Sequence, residues 1–212
     1  MAAKAGVRYN TLNPGEMMPT KTVQLTCKTD PSWVRVILDH FDEFLADHAD
    51  CELKASAMAL GFVVKCPDRT KIIGPMIDLA LEELAHFRQV HRILEKRGLP
   101  LKPNFIKDPY VSRLMAHCRS GREERFLDRL LVASIVEARG AERFQIVYRA
   151  LEDPELKAFY KEFCVAEARH GNLFVNLALE YFDERTVDAR LERLVREEEA
   201  IIRSLKWRPS LH

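Results

Sequence analysis

Apolar residues recur along this chain at three- and four-residue intervals, the period of a helix with one buried face, and no segment alternates as a half-buried strand does. Four long periodic segments stand out. A short helix around Trp33, Val36 and Ile37 opens at Asp30-Pro31-Ser32 and leads into the first of them, which ends near Cys66-Pro67-Asp68. The second runs from about Arg69 to Arg97 and stops at Gly98, with Pro100 beyond. A proline-punctuated stretch, GLPLKPNFIKDPY, and a short helix near Val111 to Cys118 separate it from the third, which follows Ser120-Gly121 and spans about Arg122 to Leu151. Asp153-Pro154 caps the fourth, which continues to about Phe182, and a charged helix from Glu184 to Leu205 closes the pattern. The expectation is an all-α four-helix bundle over residues 31–205, with one long crossover and additional short N-terminal and C-terminal helices. It is flanked by a polar tail at 1–30 and a C-terminal tail at 206–212.

Tracing the buried stripe of each long helix at about 100° per residue brings in the chemistry. The first stripe reads Leu45, Ala49, Glu52, Ser56, Ala59; the second Met76, Leu79, Glu83, His86, Val90. The third reads Leu130, Ala133, Glu137, Ala141, Phe144; the fourth Tyr160, Phe163, Glu167, His170, Phe174. Each is apolar at both ends and ionisable in the middle, and a bare carboxylate buried there would cost several kcal/mol. Four carboxylates are balanced by two divalent cations. In ExxH the Glu and His share one helix face, so both reach one dimetal centre. A lone Glu is more often a solvated surface residue and a lone core His is more often simply hydrogen-bonded. Two ExxH pairs in so glutamate-rich a chain are also weak by themselves. The joint order E, ExxH, E, ExxH is what discriminates. About 30 residues separate the two glutamates of each hairpin, so antiparallel pairing brings them level. Oxygen plus imidazole donors suit iron or manganese, between which geometry does not choose, better than copper(I) or structural zinc. Glu82 lies about 100° off the Glu83 stripe and Glu142 about 140° off Glu137; Glu142 is expected to pair with Arg139 or Arg143.

Composition narrows the class further. With 47% hydrophobic and 31% charged residues and a net charge of +1, the chain reads as one globular domain with no global field toward nucleic acid. Five scattered cysteines without a CxxC pair suit reduced thiols. The first twenty residues lack an apolar core of the signal-peptide type, and the run Ala55 to Val64 is too short for a bilayer, so a cytoplasmic protein without membrane association is expected. One local bias exists. Residues 96–125 concentrate Lys96, Arg97, Lys102, Lys107 and four arginines against three acids, a basic crossover that could hold phosphates but equally reads as a solvated face. Lys96, Arg97, Lys102 and Lys107 are the candidate RNA contacts.

The segments HADCELKAS, EELAHFRQVHRILEKRGLPLKP, IVEARGAERF and VAEARHGNLF together resemble the tRNA 2-methylthio-N6-isopentenyladenosine hydroxylases (MiaE), a branch of the ferritin-like superfamily. The likeness covers about Trp33 to Ile202. It implies a carboxylate-bridged pair of iron ions, with Glu83 and Glu167 bridging, Glu52 and His86 completing one site, and Glu137 and His170 the other. It also implies a catalytic metal centre formed by these six residues. The activity implied is O2-dependent hydroxylation of the isopentenyl group on a modified adenosine beside the tRNA anticodon, with two electrons from an external reductase. Gly171 departs from the family pattern, which places an aromatic residue after the last ligand histidine. An iron-storage or ferroxidase protein, a peroxidase and a bundle with purely structural acids are the competing readings; storage requires a cage, and the oligomeric state is not written in the sequence.

Overall fold

The computed structural model describes residues 21–101 and 107–212. Among these residues there are seven helices and no strand: α1 (Trp33–Asp39), α2 (Phe41–Lys65), α3 (Thr70–Arg97), α4 (Pro109–Ala116), α5 (Arg122–Ala150), α6 (Pro154–Leu179) and α7 (Glu184–Ser204). Three of the helices, α4, α6 and α7, begin where an aspartate side chain accepts from their free N–H groups. Asp108, Asp153 and Asp183 accept from Tyr110 (2.7 Å), Leu156 (2.9 Å) and Thr186 (3.0 Å), with proline in the first turn of α4 and of α6. α4 thus starts two residues earlier than periodicity alone suggests, because the Asp108-Pro109 cap outranks the first apolar residue. α3 ends at Gly98, whose φ of 67° lies in the left-handed region, and the Leu99 N–H closes on the Leu94 carbonyl at 3.0 Å.

α2 with α3, and α5 with α6, form the two antiparallel hairpins, joined by the crossover that contains α4. Their interior divides into three layers. At one end Phe62, Ile72, Met76, Leu130 and Phe174 pack together; at the other Ile37, Phe44, Val90, Phe144 and Tyr160 do so. Burying each such side chain contributes about 1.5–3 kcal/mol. Between the two lies a polar layer at the level of Glu52, Glu83, Glu137 and Glu167, all buried. α3 and α6 approach closely, but no Cα of α2 comes within 8 Å of a Cα of α5 among the described residues. The bundle therefore closes on one side and stays parted on the other, where α4 and the last residues of the chain cover the gap.

Both segments separated from the bundle in the sequence reading lie against it where they are described; residues 1–20 fall outside the described set. Cys27 and Thr29 are buried, and the Thr29 N–H and hydroxyl both donate to Glu142 at 2.7 Å. Leu211 is buried too. Its N–H donates to Asp47 of α2 (2.8 Å) and its carbonyl accepts from Arg143 of α5 (2.7 Å), so one residue spans the parted helices. Beside it His212 stacks on Tyr110, ring centroids 5.3 Å apart and 6° from parallel. No helix among the described residues is long and apolar enough to cross a membrane.

Candidate metal centre

The middle layer brings all six ligand candidates together. Glu52, Glu83, His86 and Glu167 form one group and Glu83, Glu137, Glu167 and His170 a second; within each, one donor atom per residue lies within 4.8 Å of the others. Glu83 and Glu167 belong to both. His170 Nδ1 is 2.8 Å from Glu83, and His86 Nδ1 is 3.4 Å from both Glu52 and Glu83. Burial is severe: Glu83 is 1% exposed and Glu137 6%.

Gly171 explains how α5 and α6 reach this register. A Cβ there would stand 3.2 Å from the Ser134 carbonyl and 3.6 Å from the Glu137 Cβ, and the Ser134 hydroxyl donates to the Gly171 carbonyl. The missing side chain lets the two backbones meet beside His170.

The donor set fits divalent cations on the structure's own terms. Buried Glu52 Oε2, both Glu83 oxygens, His86 Nδ1 and His170 Nδ1 lack a hydrogen bond of acceptable geometry. Orphaned atoms of this kind are rare in native interiors, and these converge. Without a cation the layer is electrostatically strained. Burial pushes the Glu137 carboxyl up to about 7, and burial together with the neighbouring Glu137 pushes Glu167 well above the carboxylate range. Burial also opposes charge on Glu83, but contacts with His170 and His86 win and hold it down to about 2. The imidazoles respond in kind. Burial works against their protonation, yet Glu52 and Glu83 raise His86 to about 9, and Glu82 and Glu83 raise His170 to about 10.

Two residues around the layer escaped the sequence reading. Glu82, set aside as off the stripe, reaches sideways to the outer nitrogens of both imidazoles, His170 Nε2 at 3.3 Å and His86 Nε2 at 3.9 Å, and pairs with Arg169. His48, fully buried, places Nε2 3.0 Å from Glu52 Oε1 and Nδ1 3.4 Å from the Tyr160 hydroxyl. Its position four residues before Glu52, on the same helix face, was the available signal. Glu142 pairs with Arg139 at 3.0 Å.

A cavity of about 640 Å³ opens from the layer into the gap between α2 and α5, with Glu52, Glu83, Glu137 and Glu167 at its floor. Ala55, Met58, Val111, Met115, Val132 and Val136 make its sides largely apolar. Lys107, one of the four basic residues singled out as RNA contacts, stands on its wall. Lys96 and Arg97 are exposed at the end of α3 and do not line it, Arg97 being paired with Asp42 at 2.7 Å; Lys102 lies outside the described residues. The cavity's other cations, Lys54, Arg129 and Arg208, come from α2, α5 and the C-terminal segment.

Comparison with known proteins agrees with this architecture. The family model described as "tRNA-(MS[2]IO[6]A)-hydroxylase (MiaE)" matches residues 16–212. A tRNA 2-(methylsulfanyl)-N(6)-isopentenyladenosine(37) hydroxylase of Pseudomonas putida is 36% identical over 180 residues, 85% of this chain and 86% of that protein. A protein of the same name from Salmonella typhimurium is 31% identical over 108 residues, 51% of this chain and 39% of its own length. Among solved structures, a Synechococcus protein described as having aldehyde deformylating oxygenase activity superposes with a TM-score of 0.83 at 32% identity, covering 89% of this chain and 94% of its own.

Proposed function

The chain belongs to the MiaE family of tRNA hydroxylases, and on that footing we propose that it hydroxylates the isopentenyl group of 2-methylthio-N6-isopentenyladenosine in tRNA, using two iron ions in the buried layer, O2 and two electrons from a separate reductase. Glu52, Glu83, His86, Glu137, Glu167 and His170 are the proposed ligands. The observation that carries this reading is the pair of overlapping donor groups sharing Glu83 and Glu167, as a bridged dinuclear centre requires, at the floor of an apolar cavity. When bound, such a pair supplies reductive activation of O2, placing one oxygen atom into a C–H bond and releasing the other as water.

The chain's own residues do the rest. His48 stands beside Glu52, and Glu82 beside the outer nitrogens of His170 and His86, where both bear on the orientation of the proposed ligands. The sides formed by Met58, Val111, Val132 and Val136 take an alkyl chain and keep bulk water away from the floor. The family match over nearly the whole chain favours this reading over an iron-storage or peroxidase role. Residues 31–205 are proposed to act as one bundle domain, in the cytoplasm where tRNA is found.

Protein reconstituted with Fe2+ and given a reductase should convert 2-methylthio-N6-isopentenyladenosine in tRNA to its hydroxylated form, detected by mass spectrometry of the released nucleosides. Two irons per chain with no such product would favour storage. Absence of bound metal would remove the reading altogether.

A further inference from the structure

The cations on the cavity wall are not equivalent. Lys54 pairs with Asp50 at 2.5 Å, Arg208 with Asp108 at 3.4 Å, and Lys107 is exposed to solvent. Arg129 is half-buried, and among the described residues no carboxylate stands within ion-pair distance of it. Its guanidinium lies over the Phe62 ring, 4.5 Å from the centroid. The ring face supports the cation without taking up its N–H donors as a carboxylate would, which leaves them for a bidentate oxyanion. Burial and the nearby like charge of Arg125 both work against its positive charge. A half-buried cation kept without a counter-ion is a costly feature unless something outside the chain completes it.

Position identifies what that could be. Arg129, Val132, Ala133, Val136 and Glu137 share one face of α5 and all line the cavity, so Arg129 sits about 12 Å along the helix axis from the floor. Between the two ends the walls are apolar, with Met58 and Met115 among them. A nucleotide whose N6-alkyl tip touches the floor lays its purine along those walls and carries its charge at the far end. We infer that Arg129 binds a phosphodiester oxygen of the target nucleotide or its immediate neighbour, and so is a specificity residue that selects polynucleotide over free nucleoside. This rests on the tRNA-hydroxylase reading above.

The test is binding to the iron-loaded protein without oxygen, so that no turnover intervenes. Two probes are compared: an anticodon stem–loop RNA carrying the modified adenosine, and the modified nucleoside, which has no phosphate. Arg129→Gln should weaken RNA binding about tenfold more than nucleoside binding and should lower the salt slope of RNA binding by about one. Arg129→Lys should recover part of the RNA affinity. Equal losses on both probes, or an unchanged salt slope, would overturn the phosphate assignment in favour of a base contact or a packing role. Should Arg129→Gln be poorly folded by thermal melting, Arg129→Lys carries the test: its RNA-to-nucleoside affinity ratio must fall, and an unaltered ratio counts against the inference. Wild-type protein that binds neither probe would refute the parent reading instead.

Discussion

One helix, α5, carries two buried acid clusters that are balanced in opposite ways. Around Arg139 the chain provides everything. Its guanidinium donates to both Glu198 oxygens (2.8 and 3.0 Å), to Glu142 (3.0 Å) and to the Cys27 carbonyl (2.8 Å), while the Tyr110 hydroxyl donates to Glu198 at 3.1 Å. Two residues earlier, Glu137 faces other carboxylates and the His170 imidazole, and no Lys or Arg pairs with Glu52, Glu83, Glu137 or Glu167 among the described residues. The first cluster is complete as folded, whereas on the proposed reading the second is completed by cations from outside. Burial alone does not separate a structural acid from a functional one; the source of its counter-charge does.

The contrast can be broken most sharply by removing one acid from the second cluster. Glu137→Ala should abolish turnover and reduce bound iron to about one per chain, while leaving the metal-free protein at least as stable as wild type, because an uncompensated acid has been removed. Retained activity, or a metal-free variant that melts well below wild type, would contradict the assignment. In the first cluster the expectations invert. Arg139→Ala leaves Glu198 buried and unpaired and should cost about 3–5 kcal/mol in denaturant titrations, and Arg139→Met combined with Glu198→Leu should restore most of it. Large loss in the double variant would mean that the network does more than balance charge.

Acidity offers a smaller and reversible probe. In the metal-free protein Glu137 is raised from 4.5 to about 7, and His86 and His170 from 6.5 to about 9 and 10. Stability from groups raised on folding is fully present below their unfolded values and is lost as pH climbs through the folded ones. Metal-free protein should therefore lose stability steadily from about pH 5 to pH 10. Glu83, lowered to about 2, acts only on the acid side, its contribution fading as pH falls from 4.5 towards 2. Iron removes these protons from the balance, so the gap in melting temperature between loaded and metal-free protein should widen from pH 5 to pH 8; a constant gap would argue against cation compensation. The mildest change is Gly171→Ala, which sets a methyl 3.2 Å from the Ser134 carbonyl and should cost about 1–3 kcal/mol with some loss of iron affinity. No effect on either would show that the two backbones can part without disturbing Glu137 and Glu167.

Helical period made the four long helices and six ligand candidates legible, because the buried face and the ligands obey the same 100° step. Glu82 was hidden by that rule, since a residue one step off the stripe is judged by angle alone, whereas a glutamate is long enough to reach around the helix to both imidazoles. Glu198 was hidden in an acid-rich helix whose average reads as solvent-facing; only its packing against Arg139 reveals that this acid points inward. The parted α2 and α5, and the cavity between them, depend on helix spacing, which no single segment encodes. Arg129 lies four residues beyond the basic stretch, and its lack of a partner emerges only in three dimensions.

The width of that opening rests on the backbone of a single residue. Leu211 grips Asp47 on one wall through its N–H and Arg143 on the other through its carbonyl. Main-chain atoms make both grips, so most substitutions at 211 keep the doorway at its present size, whereas proline, which has no N–H to offer, lets go of one side. Shortening the chain by its last few residues should act less like a local lesion than like unlatching a frame, with the two walls free to drift and the fit to the target base relaxed.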